Sequence, residues 1–129
     1  MTSATVPGGC SVLVIDDNAD GREMLRCLCE LLGHEVTEAG DGEQGVARAI
    51  EHRPDIAFID IGLPTIDGYE VARRVRAALG AATPRLVALS GYGSAQHRAA
   101  ALEAGFDIHI AKPIDGTQLR RELAAAKPH

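Results

Sequence analysis

Four short apolar runs in this chain each end on a polar or charged side chain, and no other feature restricts the fold as tightly. SVLVIDD closes on Asp16 and Asp17, DIAFID on Asp60, RLVALS on Ser90 and DIHIAK on Lys112. The segments VLVI, IAFI and LVAL are apolar at successive rather than alternate positions. That is the signature of strands covered on both faces. Helical patterns separate them, and a weaker strand at about Glu35 to Glu38 makes the alternation five-fold. A (βα)5 chain calls for a doubly wound α/β fold, a parallel sheet with helices on both sides. The five terminal side chains then emerge together at the carboxyl edge, where open α/β sheets bind ligands.

The helices announce themselves by their caps and stops. The first is expected to bury Met24, Leu25, Leu28, Leu31 and Leu32 and to stop at Gly33. Asp41 with Gln44, and Asp67 with Glu70, read as caps of the second and third helices. The second runs to about His52; the third is expected to bury Val71, Val75, Ala78 and Leu79 and to end at Gly80. A small Ala-rich helix from about Ser94 to Ala104 has few large apolar residues, so it is expected to be loosely held. Leu119 and Leu123 face inward from the last helix.

The chain has 129 residues, enough for one core and too few for two. Aromatic residues are only 3%, so Leu, Val, Ile and Ala must build that core. The net charge of −5 and the lack of a basic patch argue against nucleic-acid binding. Arg73, Arg74 and Arg76 are expected to spread around a solvated helix. Cys10, Cys27 and Cys29 lack zinc-ligand spacing and are expected to be reduced and mostly buried, as in a cytoplasmic protein. No apolar run approaches membrane-spanning length, and no signal-peptide pattern opens the chain. Residues 1–10 are expected to be a flexible lead-in, 11–126 the folded domain and 127–129 a tail.

Asp16, Asp17 and Asp60 are expected to lie within a few ångströms of one another. Three carboxylates so close resist joint ionisation unless a cation joins them. Mg2+ suits such a set, since it prefers hard oxygen ligands, and the Gly62 carbonyl could add another. A simpler role for Asp16 and Asp17 is capping the first helix. Lys112, reaching toward Asp60, would hold the carboxylate and neutralise an arriving phosphoryl group. Ser90 offers a hydroxyl to such a group, although a Ser before Gly91 is also common turn chemistry. Lys112–Pro113 is a candidate cis peptide.

In this order and spacing, VLVIDDN, FIDIGLPTIDGYE, ALSGYG and AKP resemble the response-regulator receiver domain of two-component signalling, over about residues 11 to 126. The resemblance implies the flavodoxin-like receiver fold, with strand order 2-1-3-4-5. It implies Asp60 as phosphoacceptor, Asp16 and Asp17 as Mg2+ ligands, Ser90 as switch hydroxyl and Lys112 as phosphate-binding lysine. The expected donor is a sensor histidine kinase or a histidine phosphotransfer protein. Phosphorylation would shift the fourth helix and fifth strand, the face expected to meet a downstream protein and able to support a homodimer.

The chain departs from the family where many members carry Tyr or Phe three residues before the lysine; here that residue is His109. It is either a switch residue or a solvent-facing histidine at a strand end, and Tyr92 is the nearest aromatic alternative. Two other readings compete. One is a pseudo-receiver that binds partners without being phosphorylated. The other is an Asp-nucleophile, metal-dependent phosphatase, which would need an acid–base Asp where this chain has Gly62. The expectation is a signalling receiver rather than an enzyme, acting in the cytoplasm, alone or as part of a hybrid histidine kinase.

Overall fold

A computed structural model describes residues 9–91 and 95–126. Five strands and five helices alternate: β1 (Ser11–Ile15), α1 (Ala19–Leu31), β2 (Glu35–Ala39), α2 (Gly42–His52), β3 (Ile56–Asp60), α3 (Gly68–Leu79), β4 (Arg85–Ser90), α4 (Ala95–Ala104), β5 (Ile108–Ala111) and α5 (Gly116–Ala125). A short 3-10 turn, Gly80–Ala82, follows α3. All neighbouring strands are parallel, and the sheet order is β2-β1-β3-β4-β5. Class, layering and strand order are those expected from the sequence. The expected boundaries at Met1 to Gly8, at Ser94 and at Lys127 to His129 lie outside the described residues.

The sheet divides the core in two, because alternate side chains of a strand point to opposite faces. Leu13, Ile15, Ala57, Ile59, Leu86 and Ala88 pack against Val71, Val75, Ala101 and Ala104 of α3 and α4 and against Ala49 of α2. Val12, Val14, Ile56, Phe58, Val87 and Leu89 pack against Leu25 and Cys29 of α1 and Leu119 and Leu123 of α5. Fully burying one such aliphatic side chain stabilises the fold by roughly 1.5–3 kcal/mol, before chain entropy is set against it.

Several helix faces differ from expectation. In α1 the buried stripe is Leu25 and Cys29, with Leu32 packed beside them, while Met24, Leu28 and Leu31 are exposed. Cys29, four residues after Leu25, continues the stripe that faces the sheet, and the other three fall to its sides. In α3 Ala72 is buried rather than Ala78, which is exposed. Asp67 accepts from the Glu70 N–H at 3.0 Å, but the Glu70 carboxylate turns outward to Arg73 and Arg74 instead of closing a capping box. The full reciprocal box occurs at Asp115 and Gln118 of α5. Gly33 and Gly105 end their helices at φ of 91° and 108°, in the left-handed region that glycine adopts without strain. Cys10 and Cys29 are buried and Cys27 is exposed, all three as free thiols.

Candidate functional site: an acidic cleft at the carboxyl edge of the sheet

Strand register builds the site. Ile15 pairs with Ile59, so Asp16 and Asp60 stand level on adjacent strands. Ser90 pairs with Ala111, which puts Lys112 one residue beyond Ser90. Ligand oxygens from Asp16, Asp17 and Asp60 come within 4.8 Å of one another. Asp16 is buried, Asp60 half-buried and Asp17 exposed. Neither Asp16 nor Asp17 caps α1; the cap is Asn18, which accepts from the Gly21 N–H at 3.1 Å. The acidic pair therefore lies outside the helix cap.

Backbone donors hold two of the three carboxylates. Asp16 Oδ1 accepts from the Asn18 N–H at 2.9 Å, and Asp60 Oδ1 accepts from the Gly62 N–H at 2.8 Å. From across the sheet, Lys112 Nζ lies 3.1 Å from Asp16 Oδ2 and 3.2 Å from Asp60 Oδ2. Burial alone would lower the Lys112 pKa, but the hydrogen bond and charge of Asp16, then of Asp60, outweigh it and hold the ammonium above its ordinary range. The Lys112–Pro113 peptide is cis. On the other flank, Arg22 donates to the Asp16 carbonyl at 2.7 Å and pairs with Glu38 at 3.1 Å, fixing the turn that carries the acidic pair.

Gly68 lets α3 approach this edge. A Cβ at Gly68 would lie 2.6 Å from both the Asp60 carbonyl and the Ile61 Cα. No side chain fits there without moving the strand end that bears Asp60.

Ser90 and His109 are both buried, and Ser90 Oγ lies 2.8 Å from His109 Nε2. His109 is thus a buried partner of Ser90 rather than a solvent-facing strand-end residue. Burial, then the charges of Arg98 and His97, hold the His109 pKa below its ordinary value. Tyr92 lies outside the described residues. A cleft of about 340 Å³ opens over the group, walled by Asp60, Gly62, Tyr69, Ser90, His97 and Lys112. Neither His97 nor Tyr69 is legible from the sequence as part of this wall, because each arrives from a helix whose rotation is set by packing.

The donor set fits a hard divalent cation. Three carboxylates offer acceptor oxygens only, and each of Asp16 and Asp60 is contacted by Lys112 through one oxygen alone.

Comparison with known proteins places the chain. Residues 12–124 match the response regulator receiver domain, and the chain belongs to that family. It is 40% identical to the transcriptional regulatory protein PrrA of Mycobacterium tuberculosis over 103 residues, 80% of this chain and 43% of that protein. A putative response regulator from Chloroflexus aurantiacus superposes with a TM-score of 0.84 at 30% identity, covering 92% of this chain and 97% of the other. The receiver domain of the sensor histidine kinase PA1611 from Pseudomonas aeruginosa superposes at 0.82 with 31% identity, covering 91% and 96%; that structure has a magnesium ion coordinated in its active-site cleft. The chain spans 42–51% of the length of four longer regulators that it matches. Among the described residues no helix is long and apolar enough to cross a membrane.

Proposed function

We propose that this receiver is the phosphoacceptor of a two-component phosphorelay and that Asp60 takes its phosphoryl group from a phosphohistidine donor. One observation carries the reading: Lys112 bridges Asp16 and Asp60 inside a three-carboxylate cluster at the carboxyl edge of a receiver fold. In the transfer an Asp60 carboxylate oxygen attacks phosphorus. The P–O bond forms as the donor's P–N bond breaks, and that electron pair returns to the imidazole. The protein's part is positioning and charge neutralisation. The Gly62 N–H orients the carboxylate, and Lys112 offsets phosphoryl charge. Asp16, Asp17, Asp60 and the Gly62 carbonyl would hold Mg2+, which neutralises phosphoryl and carboxylate charge when bound. Hydrolysis reverses the state: water attacks phosphorus, the P–O bond to Asp60 breaks, and inorganic phosphate leaves.

In this reading residues 11–126 form the signalling unit, which catalyses its own phosphorylation and dephosphorylation. The donor, a sensor histidine kinase or a histidine phosphotransfer protein, has a groove to use beside Lys112. That groove is lined by the exposed Met24 and Leu28 of α1 with Pro113 and Ile114. The output face is α4 with β5. Among its described side chains this helix buries only the small Ala101 and Ala104 while Leu102 is exposed, so little packing opposes a shift. That face could also carry a homodimer contact. A cytoplasmic setting suits the free thiols, and burial pushes the Cys29 thiol up to about 12.

The test is intact-mass spectrometry after incubation with acetyl phosphate and Mg2+. One added phosphoryl group that requires Mg2+ and disappears in Asp60→Asn is the expected result. Wild type that takes neither acetyl phosphate nor beryllofluoride would instead be a pseudo-receiver, acting through its surfaces alone.

A further inference from the structure

The β1–β2 ladder runs out at the acidic pair. The Asp16 N–H still donates to the Ala39 carbonyl at 3.1 Å. In a parallel pair the carbonyl of the same residue faces the same neighbouring strand, but β2 stops at Ala39 and Asp41 already caps α2. Arg22 stands in for the missing strand partner: its Nη1 donates to the Asp16 carbonyl at 2.7 Å. Helical side chains lean toward the helix N-terminus, which brings Arg22 from the first turn of α1 back over this peptide.

A cation there does not serve the helix, because the N-terminal end of α1 carries positive dipole charge. Glu38 of β2 offsets that cost. Its Oε1 accepts from Arg22 Nε at 3.1 Å, and its Oε2 lies 2.9 Å from Arg26 Nε. The planar guanidinium fork of Arg22 serves both acceptors at once and braces the Asp16–Asp17 peptide against the edge strand.

That peptide matters most for Asp17. The carboxylates of Asp16 and Asp60 are pinned by backbone N–H groups and by Lys112. Among the described residues no hydrogen bond or ion pair reaches the Asp17 carboxylate, which is exposed. Its backbone alone sets its direction of approach. Mg2+ demands near-ideal octahedral geometry, whereas Ca2+ accepts irregular arrangements of oxygen ligands. Freedom at Asp17 therefore penalises Mg2+ more than Ca2+.

We propose that Arg22, braced by Glu38, is a positioning residue that makes the carboxylate cluster select Mg2+ over Ca2+, by holding the Asp16 carbonyl and with it the peptide that carries Asp17. The inference rests on the cation-holding part of the reading above and adds to it the residues that set which cation is held.

Calorimetric titrations with MgCl2 and with CaCl2 test it on wild type, Glu38→Gln and the double variant Arg22→Met/Glu38→Gln, with denaturant melts confirming that each is folded. Glu38→Gln keeps an oxygen that can accept from Arg22 and should hold both affinities within about twofold. The double variant has the net charge of wild type but lacks the brace. Its Mg2+ affinity should fall about tenfold, the scale of one hydrogen bond to a charged group, while Ca2+ changes by less than about twofold. Charge alone predicts the reverse order, with Mg2+ weakened by Glu38→Gln and restored in the double variant. Should the double variant melt too early to titrate, Arg22→Lys reads the same loss at unchanged charge, because one ammonium cannot span both acceptors as the fork does. Mg2+ binding at wild-type strength without the brace overturns the inference, as does an equal loss of Mg2+ and Ca2+. Both leave the phosphoacceptor reading intact, which the acetyl phosphate adduct of wild type checks separately. Wild type that binds Mg2+ yet takes no phosphoryl group overturns that reading alone, and wild type that binds neither cation nor phosphoryl group overturns both.

Discussion

Lys112 Nζ stands almost midway between two carboxylates, 3.1 Å from Asp16 Oδ2 and 3.2 Å from Asp60 Oδ2, so the cluster carries a cation of its own. On the proposed function that ammonium should compete with Mg2+ for the same negative charge while preparing the site for phosphate. Lys112→Met should therefore split two properties. Mg2+ should bind several-fold tighter, because the three carboxylates lose their resident cation, while the acetyl phosphate adduct falls at least tenfold. Calorimetric Mg2+ titration and intact mass measure the two. Unchanged or weaker Mg2+ binding would show that Lys112 does not compete.

The same pair gives the alkaline limb of stability a cause. Lys112 has its pKa raised in the folded state, so its stabilising contribution is fully present below the unfolded value of about 10.4. It is lost as pH rises through the higher folded value. Urea melts between pH 9 and 11.5 should fall more steeply for wild type than for Lys112→Met.

His109 acts at the opposite end of the scale. Its folded pKa is lowered by burial and then by Arg98 and His97, so below about pH 6.5 the unfolded chain takes a proton that the folded chain refuses. Stability should fall with pH through that window, by at most about 1.4 kcal/mol per pH unit, and stop falling once the folded ring also protonates. His109→Gln removes this component. Matching acid limbs for variant and wild type would refute it.

Gly68 tests how the strand end that bears Asp60 is positioned. Its missing Cβ would stand 2.6 Å from the Asp60 carbonyl. Gly68→Ala should cost about 1–3 kcal/mol by overpacking and should slow Asp60 labelling more than it lowers stability, because the strand end must move. Denaturant melts and labelling rates at equal folded fraction separate the two effects.

Glu122 on α5 is buried against Arg85 of β4, with Nε to Oε1 at 2.7 Å. Arg85→Met strands that carboxylate and should cost about 3–5 kcal/mol. The double variant with Glu122→Leu should recover most of the loss, since an apolar pair of similar volume is often as stable. A double variant as unstable as the single one would contradict this.

The sequence made the site legible because strand ends converge by topology. Asp16, Asp60, Ser90 and Lys112 needed only a parallel sheet to bring them together, and successive apolar residues declared that sheet. What lay beyond reach depended on helix rotation and on register. Leu31 and Met24 look like core residues by type, yet Leu25 and Cys29 occupy the face turned to the sheet. The Arg85–Glu122 pair joins residues 37 apart, and neither member shows a periodic signal. The Ser90–His109 bond is diagonal and follows only from the pairing of Ala88 with His109. Asn18, rather than the acidic pair, caps α1, and only cap geometry distinguishes them.

The sheet separates two apolar layers that share no residue, one under α1 and α5 and the other under α2, α3 and α4. Ser90 and His109 point into the second layer, whereas the groove beside Lys112 is built on the first. On the proposed function, substitutions that retune who delivers the signal and substitutions that retune who receives it would therefore accumulate on opposite sides of a five-strand partition. Each side is free to drift without repacking the other.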